Sequence, residues 1–258
     1  MRITKAVRAA IEAQALAAYP REACGLIVRE QGAQVYVACE NTATTPSEHF
    51  RIAPEAYADA EDRGKVLAVV HSHPDYSPQP SEADRVTCEA SGLPWHILEV
   101  RRQDDGQVVA GELVSIEPAG YRAPLIGRPF SHGVLDCYQL LVDYYDRELG
   151  IQLQQFERQD EWWHKGQDLY LQHYAEAGFA QVDDLQQGDV IVMQVRAPVP
   201  NHAGIYLADG CLATEPEHYP APGSILHHLY GRDSRRDVYG GFWAEAHRLT
   251  LRHKEMMR

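Results

Sequence analysis

An unbroken apolar run, Val66-Leu-Ala-Val-Val70, leads straight into His71-Ser72-His73-Pro74 and then, past a proline-rich loop, into Ser81-Glu82-Ala83-Asp84. This stretch constrains the fold more than any other in the 258 residues. Five aliphatic residues in a row predict a buried strand and are far too few to cross a bilayer. Residues i and i+2 of a strand point to one face, so both imidazoles can converge on one ion. A helix opening near Ser81 carries Asp84 in its first turn and offers a carboxylate as third ligand. Two histidines and one carboxylate leave the fourth tetrahedral position of Zn²⁺ open for water, which is the arrangement of a catalytic centre. An HxH pair alone is an ordinary feature of strand ends; the serine and aspartate at fixed spacing lift it above that.

Around this core the sequence predicts an α+β protein of two domains. Ile3, Val7, Ala10, Ile11, Ala15 and Ala18 form a helical stripe, which Pro20 stops. Gly25-Leu-Ile-Val and Gln34-Val-Tyr-Val-Ala read as strands joined by a turn at Gln31-Gly32, residues 54–63 as a helix, and Trp95 to Val100 and Glu112 to Ile116 as further strands. The first domain is placed at 1–117, a Pro/Gly-containing linker at 118–127 and the second domain at 128–258. That second domain opens with a helix from Cys137 to about Glu148. Strands follow at Gly188 to Met193, His202 to Leu207 and Ile225 to Leu229, with a proline-rich loop from Thr214 to Ser224.

Charge removes one class of partner. The formal net charge is 24 − 37 = −13, a field that repels phosphate backbones, so nucleic acid is not an expected partner. The five cysteines are scattered and never spaced CxxC, which argues against a disulfide framework and a cysteine-ligated zinc. Glu12 interrupts the N-terminal stretch where a signal peptide needs apolar residues, so synthesis in the cytoplasm is expected, with no transmembrane segment.

A second candidate site begins at Asp136-Cys137, where a glycine-containing loop meets an amphipathic helix. A thiol at a helix N-terminus feels a partial positive charge that favours the thiolate and lowers its pKa. His202, heading the strand His-Ala-Gly-Ile-Tyr-Leu, is the candidate base. His227 is the candidate third member, with His228 and Thr214 as alternatives; a nucleophile, a base and a group that orients the base is the general triad logic.

Both halves resemble known families. His71-x-His73-Pro74-x(6)-Ser81-x-x-Asp84, with Glu22 upstream in Arg-Glu-Ala-Cys-Gly-Leu, resembles the JAMM (JAB/MPN) metallopeptidases. That resemblance implies zinc on His71, His73 and Asp84, Glu22 as the proton carrier between water and leaving amine, and Ser81 as a donor to the oxyanion. It also implies a mixed sheet with flanking helices. Asp136-Cys137-x-x-Leu140, Gly188-Asp189-Val190 and His202-x-Gly204-Ile205-Tyr206-Leu207 resemble the papain-like NlpC cell-wall cysteine peptidases, although Tyr138-Gln139 stands where Ser-Gly is usual. A JAMM half followed by an NlpC half resembles the tail assembly protein K family of lambda-like phages. Local runs such as Pro129-Phe-Ser-His-Gly-Val-Leu-Asp-Cys137 and Phe156-Glu-Arg-Gln-Asp-Glu-Trp-Trp163 support the likeness. It implies a place at the virion tail tip beside other tail-tip proteins, with action in the periplasm or cell wall. The implied substrates are peptidoglycan peptides for the cysteine site and a peptide or isopeptide bond of a protein for the zinc site. A non-catalytic assembly factor and a cysteine acyltransferase or amidase are the competing readings.

Overall fold

Helix α1 (Lys5–Ala18) starts at Thr4, whose side chain accepts a hydrogen bond from the Val7 amide, and it buries Val7, Ile11 and Ala15. In the computed structural model, which describes residues 2–257, the chain divides between Arg122 and Ala123 into two units. The first is built on β1 (Cys24–Glu30), β2 (Ala33–Cys39), β3 (Lys65–Pro74), β4 (Trp95–Arg102) and β5 (Val108–Ile116), in the order β2-β1-β3-β4-β5. Strands β3 and β4 run parallel, and the other described pairs are antiparallel. Helix α2 (Pro54–Arg63) precedes β3, and α3 (Glu82–Ser91) crosses from β3 to β4.

The sheet is covered on both faces, which explains the continuous aliphatic run in its middle strand. Val7, Ile11 and Ala15 pack with Ile27, Ala68, Val70 and Leu98 on one side. Ala60 and Cys88 pack with Leu26, Val28, Val69 and Trp95 on the other. Removing a side chain such as the fully buried Leu98 would cost about 2–5 kcal/mol. Strand β3 runs four residues beyond the aliphatic stretch because β4 supplies partners for it, His71 opposite Ile97 and His73 opposite Glu99. Both histidines therefore lie within the sheet rather than in a loop beyond it.

The second unit has helix α4 (Cys137–Tyr144), α5 (Leu169–His173), β6 (Phe179–Val182), β7 (Val190–Met193), β8 (His202–Leu207), β9 (Ser224–His227), β10 (Arg235–Val238), α6 (Phe242–Ala246) and β11 (His247–His253). Its strands are ordered β10-β9-β8-β7-β11-β6, with antiparallel pairing throughout the described residues. Leu140, Leu141 and Tyr144 of α4 pack on Val190, Val192, Ala203, Ile205, Leu226 and Leu251. Ile191, Met193 and Ile225 face the opposite side, towards Ala246. The helix expected to reach Glu148 is α-helical to Tyr144 and continues in a wider turn over Tyr145–Leu149.

The segment 118–127 is docked chain. The Glu89 carboxylate accepts from the amides of Ala119, Gly120 and Tyr121 at 2.6, 3.1 and 3.0 Å. After Ala123, Glu215 accepts from the amides of Leu125 and Ile126. No helix among the described residues is long and apolar enough to cross a membrane.

Candidate metal centre and cysteine site

In the first unit His71 and His73 project from the same face of β3, two residues apart, and Asp84 comes from the first turn of α3. Their ligating atoms converge. His71 Nε2 lies 3.0 Å from His73 Nε2 and 3.2 Å from Asp84 Oδ1, and His73 Nε2 lies 3.5 Å from Asp84 Oδ2. Ligands at Zn–N and Zn–O distances of about 2.0–2.1 Å in a tetrahedron stand about 3.3 Å apart, and each of these contacts, which together use both Asp84 oxygens, is close to that spacing. Two buried imidazole nitrogens pointed at each other, with a buried carboxylate beside them, suit a cation between them.

The surroundings fix each ligand. His73 Nδ1–H donates to the Ser77 carbonyl at 2.6 Å, leaving the Nε2 lone pair towards the centre. Phe50 stacks on the His71 ring at 4.6 Å and Tyr76 on the His73 ring at 4.3 Å. Ser81 caps α3. Its amide and its hydroxyl both donate to Asp84 Oδ2 at 2.7 Å, and its oxygen accepts from the Asp84 amide at 3.1 Å. Oδ2 is thus held by the cap while Oδ1 faces His71. The Ser81 hydroxyl, expected to serve an oxyanion, donates here to Asp84, in the arrangement by which a helix-capping serine and the N3 carboxylate satisfy each other's polar groups.

Glu22 is buried just before β1. Ser72, the residue between the two histidines, points the other way and holds this corner: its hydroxyl accepts from the Ala23 amide at 2.8 Å, and its amide donates to the Ala23 carbonyl at 3.0 Å. The Tyr76 hydroxyl donates to Glu22. Burial pushes the Glu22 carboxyl above its ordinary range, against the pull of His71 and of the Tyr76 bond. Burial likewise opposes the charge on Asp84, but His71, His73 and Ser81 outweigh it and hold that carboxyl below the carboxylate range. One acid can therefore carry a proton while its neighbour stays ionised. Ser72 and Tyr76 escaped the sequence reading; the i, i+1 alternation of a strand signalled the first, and nothing local signalled the second.

In the second unit Asp136 caps α4, accepting from the Gln139 amide at 2.9 Å. Arg158 grips the same carboxylate at 2.9 and 3.3 Å. Cys137 and His202 line one cavity of about 620 Å³, together with Tyr170, His228 and Trp243. His202 Nε2 meets His227 Nδ1 at 3.0 Å, and His227 Nε2 meets Asp237 Oδ2 at 3.2 Å. The chain of contacts sets the tautomers: a carboxylate only accepts, so His227 carries its proton on Nε2 and accepts at Nδ1 from His202 Nε2–H. The lone pair of His202 is then on Nδ1, the remaining nitrogen. Gly204 makes room for this, since a Cβ there would meet His227 Cβ at 3.0 Å.

Of the three alternatives for the third position, His227 is the one in contact with His202. Thr214 donates its amide to Glu148 at 2.9 Å. His228 is buried against Phe130, and neither ring nitrogen has a hydrogen-bond partner among the described residues. Asp237 was not anticipated, because β10 is a four-residue edge strand, Arg-Arg-Asp-Val, with no apolar alternation.

The expected depression of the Cys137 pKa is not found. Burial, and after it the charge of Asp136, push the thiol up to about 11 against a smaller lowering by Tyr170, Arg158 and the Ala203 amide. Asp136, needed as the cap, places a negative charge beside the sulfur. Burial, with His227 and His228 alongside, pushes His202 well below its ordinary range. Both shifts favour the neutral forms, thiol and imidazole.

Comparison with known proteins follows the same division. Residues 4–110 match the prokaryotic homologs of the JAB domain, and residues 127–252 match the NlpC/P60 family. A solved JAB1/MPN domain protein from Archaeoglobus fulgidus aligns over 45% of this chain and 97% of its own, at 22% identity and a TM-score of 0.26. Tail tip assembly protein K of Escherichia phage lambda is 36% identical over 205 residues, 79% of this chain and 89% of its own. The protein of the same name from Escherichia phage N15 is 40% identical over 250 residues, 96% of this chain and 94% of its own. With both domains in the same order and a relative matched nearly end to end, the chain belongs to the tail tip assembly protein K family.

Proposed function

We propose that this chain acts at a phage tail tip as a protein with two hydrolytic sites, a cysteine endopeptidase cutting peptidoglycan peptide stems and a zinc peptidase cutting a peptide or isopeptide bond. The observation that carries the reading is the hydrogen-bonded series Asp237–His227–His202 opening onto the cavity that holds Cys137. A hydrogen-bonded series of that kind, with both imidazoles buried and His202 lining the same cavity as Cys137, has no packing purpose an aliphatic set would not serve better.

At the cysteine site the Cys137 proton passes to His202 Nδ1 while sulfur attacks the scissile carbonyl carbon. His227 and Asp237 keep the imidazole turned and stabilise its charged form. Collapse breaks the C–N bond, the amine leaves with the proton from His202, and water then hydrolyses the thioester. At the metal site His71, His73 and Asp84 would hold zinc, with Ser81 orienting Asp84. Zinc bound there supplies a Lewis acid that lowers the pKa of water and polarises a carbonyl. Glu22, protonated more readily than an exposed acid, carries the proton from water to the leaving amine.

Two readings compete. In one, the folds serve assembly alone beside other tail-tip proteins, since fold does not fix activity. In the other, the thioester goes to a nucleophile other than water, as in an acyltransferase. Digestion of muropeptides by the wild type and by Glu22→Gln and Cys137→Ala variants, read by mass spectrometry, separates them. Hydrolysed stems lost only with Cys137→Ala are the expected result. Transpeptidated products favour the acyltransferase, and infectious particles from the double variant favour the assembly factor.

A further inference from the structure

We propose that Tyr170 is a further catalytic residue of the cysteine site, its hydroxyl donating a hydrogen bond to the Cys137 sulfur as the thiolate forms and attacks. This rests on the reading of Cys137 as nucleophile. The hydroxyl oxygen lies 3.2 Å from Sγ, within hydrogen-bond reach of a sulfur acceptor. A thiolate is only an acceptor, and bonds to an ionised partner are the stronger ones. In the neutral resting state the contact is weak; it tightens when the sulfur becomes charged, which is the condition for lowering a barrier rather than a ground state.

The rest of that wall holds the phenol in place. Tyr170 lies in α5, whose cap Asp168 accepts from the Leu171 amide at 3.2 Å. Trp162, nearly fully buried, packs edge-on to the Tyr170 ring at 6.1 Å. Trp162 belongs to the run Phe156-Glu-Arg-Gln-Asp-Glu-Trp-Trp163, to which the sequence assigned no chemistry. Arg158 of the same run binds Asp136, the residue before the nucleophile, and so offsets the negative charge nearest the sulfur. One segment thus supplies a neutral donor's support and a counter-charge, both favouring thiolate.

Tyr170 transfers no proton: the thiol proton goes to His202, and the phenol keeps its own. The other charged groups that act on the sulfur are Asp136 at the cap and Arg158 from the segment before α5; His132, Glu161, His164, His173, Arg196, His202, His228 and Arg232 also line the cavity.

The test uses the full chain and two substitutions, Tyr170→Phe and Tyr170→3-fluorotyrosine. The rate of iodoacetamide labelling of Cys137 is followed by mass spectrometry from pH 6 to 10, beside muropeptide cleavage. For Tyr170→Phe the apparent thiol pKa rises by about one unit. Because nucleophilicity climbs partly in step with basicity, labelling at pH 7.5 falls about three- to fivefold, and kcat falls while KM holds. The near-isosteric fluorotyrosine, a stronger donor, moves the thiol pKa the other way, and decides the matter should the Phe variant not fold. Unchanged or faster labelling in Tyr170→Phe, or no shift with fluorotyrosine, overturns the proposal. If the shifts occur but the wild type cleaves no muropeptide, the hydrogen bond stands and the peptidase reading falls; normal cleavage with unshifted labelling rejects the role of Tyr170 alone.

Discussion

The two halves bring polar groups together in opposite ways. Around residues 71–84 the ligand atoms point at a common centre and at one another, and burial is opposed there by contacts that keep Asp84 ionised. His71 Nε2 and His73 Nε2 stand 3.0 Å apart, within hydrogen-bond reach of each other, and with the Asp84 carboxylate they form a group that could hold a metal ion. Around Cys137 the groups are arranged in line, with each donor matched to an acceptor from Asp237 back to His202. That series is satisfied without any added ion, and burial favours the protonated form of the Cys137 thiol in the same cavity. The first arrangement turns its polar groups towards a shared point; the second passes hydrogen bonds along a row.

The largest effects should divide cleanly between the halves. Cys137→Ala is expected to lower stem cleavage by about four orders of magnitude or more and leave metal content unchanged. His71→Ala is expected to abolish retention of about one zinc per chain, by elemental analysis, while iodoacetamide still labels Cys137 at the wild-type rate. Loss of both properties from either substitution would show that the two sites are one functional unit and would break the comparison.

A pH series sharpens the same contrast. With the thiol pushed up to about 11, labelling of Cys137 should climb about tenfold per pH unit, roughly a hundredfold from pH 7 to 9. A preformed thiolate–imidazolium pair would instead level off in acid. The sign for stability follows from the same shift. Between about 9, the value in the unfolded chain, and about 11 the folded state keeps a proton that the unfolded chain has lost, so the second domain loses stability as pH rises through that window.

Asp237→Asn comes next in size. The carboxylate bonds His227 and is held below its ordinary range by bonds from Arg235 and His227, against burial. An amide can present N–H to His227 and reverse both tautomers, moving the His202 lone pair from Nδ1 to Nε2. Because Asp237 is one imidazole removed from the base and partly exposed, a loss of about ten- to a hundredfold in kcat is expected, less than for the buried aspartate of a serine triad. Asp237→Glu should recover part of it, and equal activity in Asn and wild type would remove Asp237 from the site.

This difference in layout also decides what could be read in advance. His71, His73, Ser81 and Asp84 occupy fourteen consecutive residues on one strand, one loop and one helix start, so local geometry alone places them. The same is true of α1, α2 and the strands with aliphatic runs. The cysteine site is assembled from α4, α5, β8, β9 and β10, and which of His227 and His228 meets His202 depends on a register, Gly204 opposite His227, that no local pattern fixes. Strands β6, β10 and β11 were missed for a related reason. β6 and β10 are four residues each, and in β11 the Leu249–Leu251 alternation is flanked by Arg248, Arg252 and two histidines, with Arg252 gripping Asp189 at 2.7 and 2.8 Å.

Ser81→Ala should give the smallest effect and discriminates between two uses of one hydroxyl. As capping residue Ser81 contributes about 1 kcal/mol to α3, and as the group bonded to Asp84 Oδ2 it keeps Oδ1 turned to His71. Removing a partner of this kind lowers metal affinity about ten- to a hundredfold. The variant should bind zinc more weakly in a competition titration, and saturating zinc should then restore most of its cleavage, because only the holding of the ligand has been weakened. Were the hydroxyl needed at an oxyanion, cleavage would stay depressed about a hundredfold or more at full occupancy. The contact with Asp84 favours the first outcome.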